Sequence, residues 1–221
     1  MPNPNVGSKV HFKNMIEQSI LAEKLGYKKV SIPEHHLINL LMMPSPLQMA
    51  VKIASLTKNI SISTSVAVLP LHDMRTYAGE VATADILTDG RLILGVARGA
   101  FPWEMKRLGT PIEYSKEKFT ESLEVLQKLL SEEEVSFSGK YYNFEALTIM
   151  PRPITKPIPI MIAAMDPNSI KNAALRGFHV QSTVLSGTKE LLMERVNAFR
   201  DGCEELGAVS YTHLTLPTSS R

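Results

Sequence analysis

One acidic residue and two imidazoles stand side by side early in the chain, as Glu34, His35 and His36. They follow residues 30–32, a short apolar and partly β-branched run that predicts a strand. Burying such polar groups without partners is costly, so this strand should end in a polar site. In parallel α/β folds, functional groups collect at the carboxyl ends of strands. The triplet is therefore the first candidate for chemistry.

The same residue types also raise the possibility of a metal site. Adjacent strand residues point to opposite faces, so at most one of His35 and His36 faces a site at the strand end. The alternative is structural, with one ring facing solvent and one hydrogen-bonded. The chain contains neither His-x-His nor His-Glu-x-x-His, and no Gly-x-Ser-x-Gly elbow. We expect no metal, and a metal-dependent barrel hydrolase is kept only as a further alternative.

Arg98 is the most informative charge elsewhere, because it lies between small residues at the end of another predicted strand. A guanidinium in this position suits a phosphate, since its planar fork matches two oxygens. The structural alternative is that Arg98 pairs with Glu34 or Asp85.

A predicted helix begins near Asp166, and its free N–H groups, with the hydroxyl of Ser169, could also bind an anion. The carboxylate of Asp166 argues partly against this, because it competes with an anion. The alternative is that Asp166 only caps the helix.

The elements that must position these residues alternate along the chain. Five strands are predicted between helices, at residues 29–33, 60–69, 91–96, 160–164 and 179–185. Such alternation predicts parallel βα units. A complete eight-stranded barrel takes about 250 residues, so we expect an α/β fold of the TIM-type (β/α) barrel class that is incomplete at both ends.

Two segments are expected to depart from the alternation. Residues 135–144 alternate in polarity and turn at Ser138 and Gly139, which predicts a β-hairpin outside the main sheet. Residues 101–114 predict a loop with aromatic content, before a helix capped by Ser115. This loop and the apolar residues 37–43 could wall a pocket, or merely pack against the barrel.

Composition narrows the class of protein. The chain has 221 residues, 44% of them hydrophobic, and a dispersed net charge of +2, which disfavours nucleic acid and membrane surfaces. A single cysteine, no signal peptide and no long apolar run favour a cytoplasmic protein. We expect one partial barrel domain over residues 1–207. Residues 208–221 have no continuing period and resemble translated adapter sequence or a disordered end.

Four motifs in this order resemble the bacterial luciferase-like, flavin-dependent monooxygenase family, over about residues 12–207. They are Glu34-His35-His36, residues 65–70 (SVAVLP), residues 89–99 (DGRLILGVARG) and Pro151-Arg152-Pro153. The resemblance implies a TIM-type barrel that uses reduced FMN, delivered by a separate flavin reductase, and O₂ on a small, apolar organic substrate.

The resemblance also assigns roles. His35 matches the catalytic histidine, and the peptide bond between Ser65 and Val66 matches a cis bond beneath the flavin ring. The residues that the resemblance places at the cofactor are Glu34, Ser65, Val66, Arg98, Met165, Asp166 and Ser169. Asp166 departs from the small polar residue usual at that position, and Ala97 stands where the luciferase catalytic subunit has cysteine.

The cofactor and the activity both stay open at this point. The deazaflavin F420 serves some relatives, although their first motif usually differs from Glu-His-His, so FMN is favoured. A short, incomplete barrel is also compatible with a non-catalytic flavin-binding relative or an inactive fragment.

A barrel that lacks strands exposes sheet edges, so we expect aggregation or a homodimer.

Overall fold

The structure, a computed structural model, describes residues 7–38, 43–183 and 187–207. The chain divides into two compact units, one within residues 1–160 and the other within residues 161–221. The predicted tail, part of the 37–43 segment and the end of the predicted fifth strand lie outside the described residues.

The first unit alternates helices with short strands. Its helices are α1 (Ser8–Lys24), α2 (Pro46–Ala54), α3 (Met74–Leu87), α4 (Pro102–Arg107) and α5 (Ile112–Ser131). Its strands are β1 (Lys29–Ile32), β2 (Ser61–Thr64), β3 (Ala67–Val68), β4 (Leu92–Ala97), β5 (Val135–Ser138) and β6 (Asn143–Leu147). Within the described parts of the chain, no helix has both the length and the apolar character needed to cross a membrane.

The strands β1, β2, β3 and β4 form a parallel sheet, as the alternation of elements predicts. β1 pairs with β2, and both β2 and β3 pair with β4. Ile32 lies opposite Thr64, and Val68 lies opposite Ala97, so the carboxyl ends of these strands share one edge. Side chains of the strands and of the helices that flank them form a dry core, which includes Ile53, Ile62, Leu92, Leu94, Val81 and Leu126.

The prediction of one strand over residues 60–69 was wrong in detail, because the segment breaks after Thr64. The peptide bond between Ser65 and Val66 is cis, as the resemblance implies. β3 then covers two residues and gives way to a 3₁₀ turn at Leu69–Leu71. Pro70 has no N–H to donate to a neighbouring strand, so the ladder cannot continue through it.

The prediction of a loop over residues 101–114 was also wrong. Pro102 occupies the first position of α4, where its missing N–H is not needed. α5 then begins at Ile112, and Ser115 lies inside its first turn, where its hydroxyl donates to the Ile112 carbonyl. Ser115 therefore does not cap the helix.

The predicted hairpin is confirmed as the antiparallel pair β5 and β6. Glu121 of α5 holds the turn of this hairpin in place. Its carboxylate accepts hydrogen bonds from the backbone N–H groups of Lys140, Tyr141 and Tyr142.

The second unit consists of β7 (Ile160–Ala163), α6 (Pro167–Leu175), β8 (His179–Gln181) and α7 (Lys189–Leu206). β7 and β8 pair in parallel, and Ile170 and Ala198 join the two helices in an apolar cluster. A Cβ atom at Gly202 would lie 2.7 Å from the Lys171 carbonyl oxygen. Glycine at this position therefore lets α7 approach α6 closely.

Asp85 connects α3 to the proline-rich segment that precedes β7. Its side chain is fully buried, and its Oδ2 atom accepts the N–H groups of Ile154 and Thr155 at 2.8 Å each. A carboxylate that accepts hydrogen bonds from two backbone N–H groups stabilises a segment that has no regular structure of its own.

We expect Asp85→Ala to lower the free energy of unfolding by about 2 kcal/mol, because two N–H groups lose their acceptor. Asp85→Asn keeps an acceptor oxygen and should cost clearly less. Urea unfolding of the two variants measures the difference. Equal losses in both would show that the two hydrogen bonds do not stabilise the segment.

Candidate active site

Glu34 lies at the carboxyl end of β1 and is only 2% exposed. Its Oε2 atom accepts the N–H of Val68 at 2.9 Å. Its Oε1 atom lies 2.5 Å from Nε2 of His36 and 2.7 Å from Nε2 of His72. Both carboxylate oxygens are therefore engaged, and one of them holds two imidazoles at once.

These hydrogen bonds determine the pKa of the Glu34 carboxyl group. Burial raises the pKa of Glu34, but the hydrogen bonds from His36, His72 and Val68 outweigh it and bring the pKa down to about 2. The hydrogen bond to Glu34 in turn raises the pKa of His36 above its usual value, against the effect of burial. Glu34 is thus an anion at neutral pH, and its partner His36 tends to be a cation.

A second buried carboxylate, Glu104 in α4, holds the other histidine. It is 3% exposed, and its Oε2 atom lies 3.3 Å from Nδ1 of His35. Its Oε1 atom accepts the backbone N–H of His36. The His35 ring also lies edge-on to Phe101, with ring centroids 5.1 Å apart. When Nδ1 donates to Glu104, Nε2 of His35 carries the lone pair that a general base needs.

Both imidazoles of the triplet are therefore hydrogen-bonded, and neither is a purely solvent-facing ring. His72 and Glu104 were not singled out from the sequence as site residues. They lie 38 and 70 residues after Glu34, so no local spacing could associate them with the triplet. A signal did exist, since each follows a predicted strand of the same parallel sheet, whose carboxyl end shares an edge with that of β1.

The predicted cofactor residues of the first unit lie at neighbouring strand ends. Ser65 donates its N–H to the carbonyl of Ile32, the last residue of β1. Arg98 follows β4 directly and is exposed. The suggested pairing of Arg98 with Glu34 or Asp85 was wrong within the described residues, because those carboxylates bind other groups.

Gly99, after Arg98, has a φ of +92°, and a Cβ atom there would lie 2.5 Å from the sulfur of Met105. Only glycine fits this close approach without strain. The backbone after Arg98 thus packs closely on Met105 of α4.

The remaining predicted residues, Met165, Asp166 and Ser169, belong to the second unit. Oδ2 of Asp166 accepts both the N–H and the hydroxyl of Ser169, at 2.9 and 3.1 Å, so the carboxylate caps α6. The Met165 carbonyl accepts a hydrogen bond from Nε of Arg195, a buried residue that was not predicted from the sequence as a site residue. Asp166 thus accepts two of the donors expected for a phosphate, the N–H and the hydroxyl of Ser169.

The three side chains around Glu34 could also be viewed as a metal site. Oε1 of Glu34 and the Nε2 atoms of His36 and His72 all lie within 4.8 Å of one another. Two histidines and one carboxylate are ligands that several transition metals accept. His72 follows His36 by 36 residues, so no metal-binding motif in the sequence indicated this grouping.

Comparison with known proteins gives a consistent picture. The profile of the family described as luciferase-like monooxygenase matches residues 2–210. An uncharacterized protein, y4vJ, from Sinorhizobium fredii is 35% identical over 181 residues, covering 81% of this chain and 52% of that protein. The oxygenase component of flavin-dependent trigonelline monooxygenase from Acinetobacter baylyi is 29% identical, covering 93% of this chain and 58% of that protein.

Relatives that use another cofactor are also similar. The F420-dependent glucose-6-phosphate dehydrogenase of Amycolatopsis mediterranei is 29% identical, covering 87% of this chain and 60% of that protein. The chain thus spans little more than half the length of these relatives.

Solved structures show the same fold. The oxygenating constituent of 3,6-diketocamphane monooxygenase from Pseudomonas putida, in complex with FMN, matches with a TM-score of 0.84 at 20% identity, covering 95% of this chain and 61% of that chain. The monooxygenase RslO1 from Streptomyces bottropensis matches with a TM-score of 0.86 at 25% identity, covering 91% and 62%. The predicted α/β fold of the TIM-type barrel class is therefore confirmed.

The pairing of Glu34 with His36 should make the stability of the unmodified protein depend on pH in a defined way. Because the pKa of Glu34 is depressed from 4.5 to about 2, its charge stabilises the fold above pH 4.5 and this is lost as pH falls towards 2. Because the pKa of His36 is raised from 6.5, its charge stabilises the fold below pH 6.5 and this is lost as pH rises through the elevated value.

We therefore expect Glu34→Gln to lower the free energy of unfolding most between these two limits, by about 3 kcal/mol. Denaturant unfolding at a series of pH values measures the profile. Glu124→Gln, on the exposed side of α5, is the control and should change little. A loss that does not vary with pH would show that no ion pair forms.

Proposed function

The chain belongs to the luciferase-like monooxygenase family, and from this membership we propose that it carries the flavin site of a monooxygenase. The proposed enzyme uses reduced FMN and O₂ to oxidise a small, apolar organic substrate. The single observation that carries the proposal is the pair of buried carboxylates, Glu34 and Glu104, that hold two adjacent histidines at the end of β1. Acid–base groups fixed in this way suit a reaction that must be protected from water.

Each residue of the first unit has a proposed part. His35 is the catalytic histidine, which gives or takes a proton through Nε2, and Glu104 sets its tautomer and orientation. Arg98 holds the phosphate of FMN, and the backbone at Ser65 and Val66 supports the flavin ring. The reduced flavin, when bound, supplies the electrons that activate O₂.

The carboxylate of Glu34 has a supporting role in this proposal. Both of its oxygens bind protein groups, so it stabilises the histidines and β3 rather than touching the cofactor. Met165, Asp166 and Ser169 stay proposed cofactor residues, and Ser169 could bind an anion only after Asp166 gives up its capping hydrogen bonds.

Phe101 supplies apolar surface beside the catalytic histidine. Its ring lies edge-on to His35, and its centroid is 6.0 Å from that of the exposed Trp103 ring. Apolar aromatic surface next to the reacting groups favours an apolar substrate.

FMN, rather than F420, is the proposed cofactor, and the reduced form would come from a separate flavin reductase. One relative is named as the oxygenase component of a flavin-dependent monooxygenase, which supports a division of labour of this kind. We also propose a homodimer in the cytoplasm. Direct titration of the protein with FMN and with F420, followed by flavin fluorescence, tests the choice of cofactor.

A second candidate, which the sequence left open, is a non-catalytic flavin-binding protein. It would bind FMN but show no oxygen consumption linked to a substrate.

Arg98→Gln should weaken FMN binding by about tenfold or more, because a charge-assisted contact to the phosphate is lost. Riboflavin lacks the phosphate, so its affinity should not change. Arg176→Gln, whose guanidinium lies 4.8 Å over the Phe178 ring, is the control and should bind both flavins normally. An equal loss for FMN and riboflavin would place Arg98 away from the phosphate.

His35→Asn should retain FMN binding but reduce the rate of flavin-dependent oxygenation by about a hundredfold, because a positioned proton donor or acceptor is lost. Oxygen uptake with an added flavin reductase and NADH measures this rate. His179→Asn, on the exposed side of β8, should behave like the unmodified protein. Bound flavin without any oxygenation in the unmodified protein would instead support the non-catalytic candidate.

A further inference from the structure

His72 has no assigned part in the proposed reaction, yet it is held as firmly as the triplet. Its Nε2 atom lies 2.7 Å from Oε1 of Glu34, the oxygen that also binds His36. Its ring stacks on Tyr77, with centroids 4.4 Å apart and planes 26° from parallel. Its carbonyl accepts the hydroxyl of Tyr142 at 3.1 Å. A ring held between a buried carboxylate and the face of Tyr77, on a backbone that is itself hydrogen-bonded, is poorly explained by packing alone.

The charges in this cluster of Glu34, His36 and His72 must nearly balance. Both imidazoles can donate through Nε2 in their neutral forms, but the carboxylate would then be a buried, uncompensated anion. One additional proton makes one imidazole a cation and neutralises the cluster. The shorter contact, 2.5 Å, belongs to His36. The geometry therefore favours a cationic His36 and a neutral His72 that donates from Nε2.

We propose that His72 is a positioning residue, whose neutral ring donates to the Oε1 atom of Glu34 and so leaves the one extra proton of the cluster on His36, next to the catalytic histidine. Because His72 takes part of the charge of this oxygen, Glu34 holds the His36 proton less tightly than it would alone. The shared proton is a property of the free protein, whereas its use beside His35 rests on the proposed function.

The other groups that face the cluster are consistent with this assignment. Glu104 accepts the backbone N–H of His36, and its negative charge favours the cation. Burial and the nearby Glu34 raise the pKa of Tyr77, so its phenol stays neutral and adds no charge. His35, next along the chain, is bound to Glu104 rather than to the cluster.

A metal ion is the competing occupant of the same three atoms. Ligand atoms at about 2.0–2.2 Å from a tetrahedral zinc ion lie roughly 3.3–3.5 Å apart. The contacts of Glu34 with the two imidazoles, at 2.5 and 2.7 Å, are much shorter and match hydrogen bonds that share a proton. The arrangement is therefore one that binds a proton, and a metal would have to push the three side chains apart.

The test is a pH titration of the ¹⁵N-histidine-labelled protein without flavin, followed by long-range ¹H–¹⁵N NMR. At neutral pH we expect both ring nitrogens of His36 to be protonated and His72 to be the neutral Nε2–H tautomer. A charged His72 with a neutral His36 would overturn the proposal. So would a stoichiometric amount of a divalent metal in the purified protein, measured by elemental analysis, whose removal changes these spectra.

Two substitutions separate positioning from structure. His72→Phe keeps the stacking on Tyr77 but loses the donor, so the His36 titration should move to higher pH by about one pH unit. His72→Gln keeps an N–H donor and should stay near the unmodified midpoint. If His72→Phe does not fold, His72→Asn, whose shorter amide does not reach Glu34, replaces it.

An unchanged His36 midpoint in the variants that lack the donor would refute the positioning role. With an active protein, the same variants should lower kcat and shift its pH profile, with KM nearly unchanged. If the NMR results hold but the unmodified protein shows no oxygenation, the proposed function fails while the shared proton stands.

Discussion

The whole candidate site depends on one buried anion, the carboxylate of Glu34. A charge that is 2% exposed is tolerated only if hydrogen bonds replace the water it has lost. The protein supplies them from three directions: the adjacent histidine, the 3₁₀ turn that carries His72, and the backbone of β3 at Val68. The need to satisfy this one group therefore fixes the relative positions of three separate segments at the sheet edge.

The second buried carboxylate gives the two neighbouring histidines different environments. Glu104 binds His35 through Nδ1, while Glu34 binds His36 through Nε2. Identical side chains next to each other in the chain thus have different hydrogen-bond partners because different elements hold them. In the proposed function, this difference lets one imidazole exchange a proton while the other stays bound to a buried anion.

Local patterns predicted most of the fold. Short apolar runs located β1, β4 and β7, and the alternating polarity of residues 135–144 predicted the hairpin. The errors came where local rules compete. Residues 60–69 are apolar enough for a single strand, but Pro70 and the hydrogen bonds of Ser65 and Val68 to other segments interrupt it. The aromatic residues near position 101 led to the prediction of a loop, but Pro102 begins the short helix α4 there.

The sequence by itself determined the parallel α/β class, the family and the triplet Glu34-His35-His36, because these depend on residue types and on spacing within a few positions. Only the tertiary structure decided which groups those side chains meet. His72 and Glu104 come from later turns and helices, and Asp166 occupies the helix end that was expected to bind phosphate. Hydrogen bonds act over about 3 Å, so partners far apart in the chain become visible only when folding brings them together.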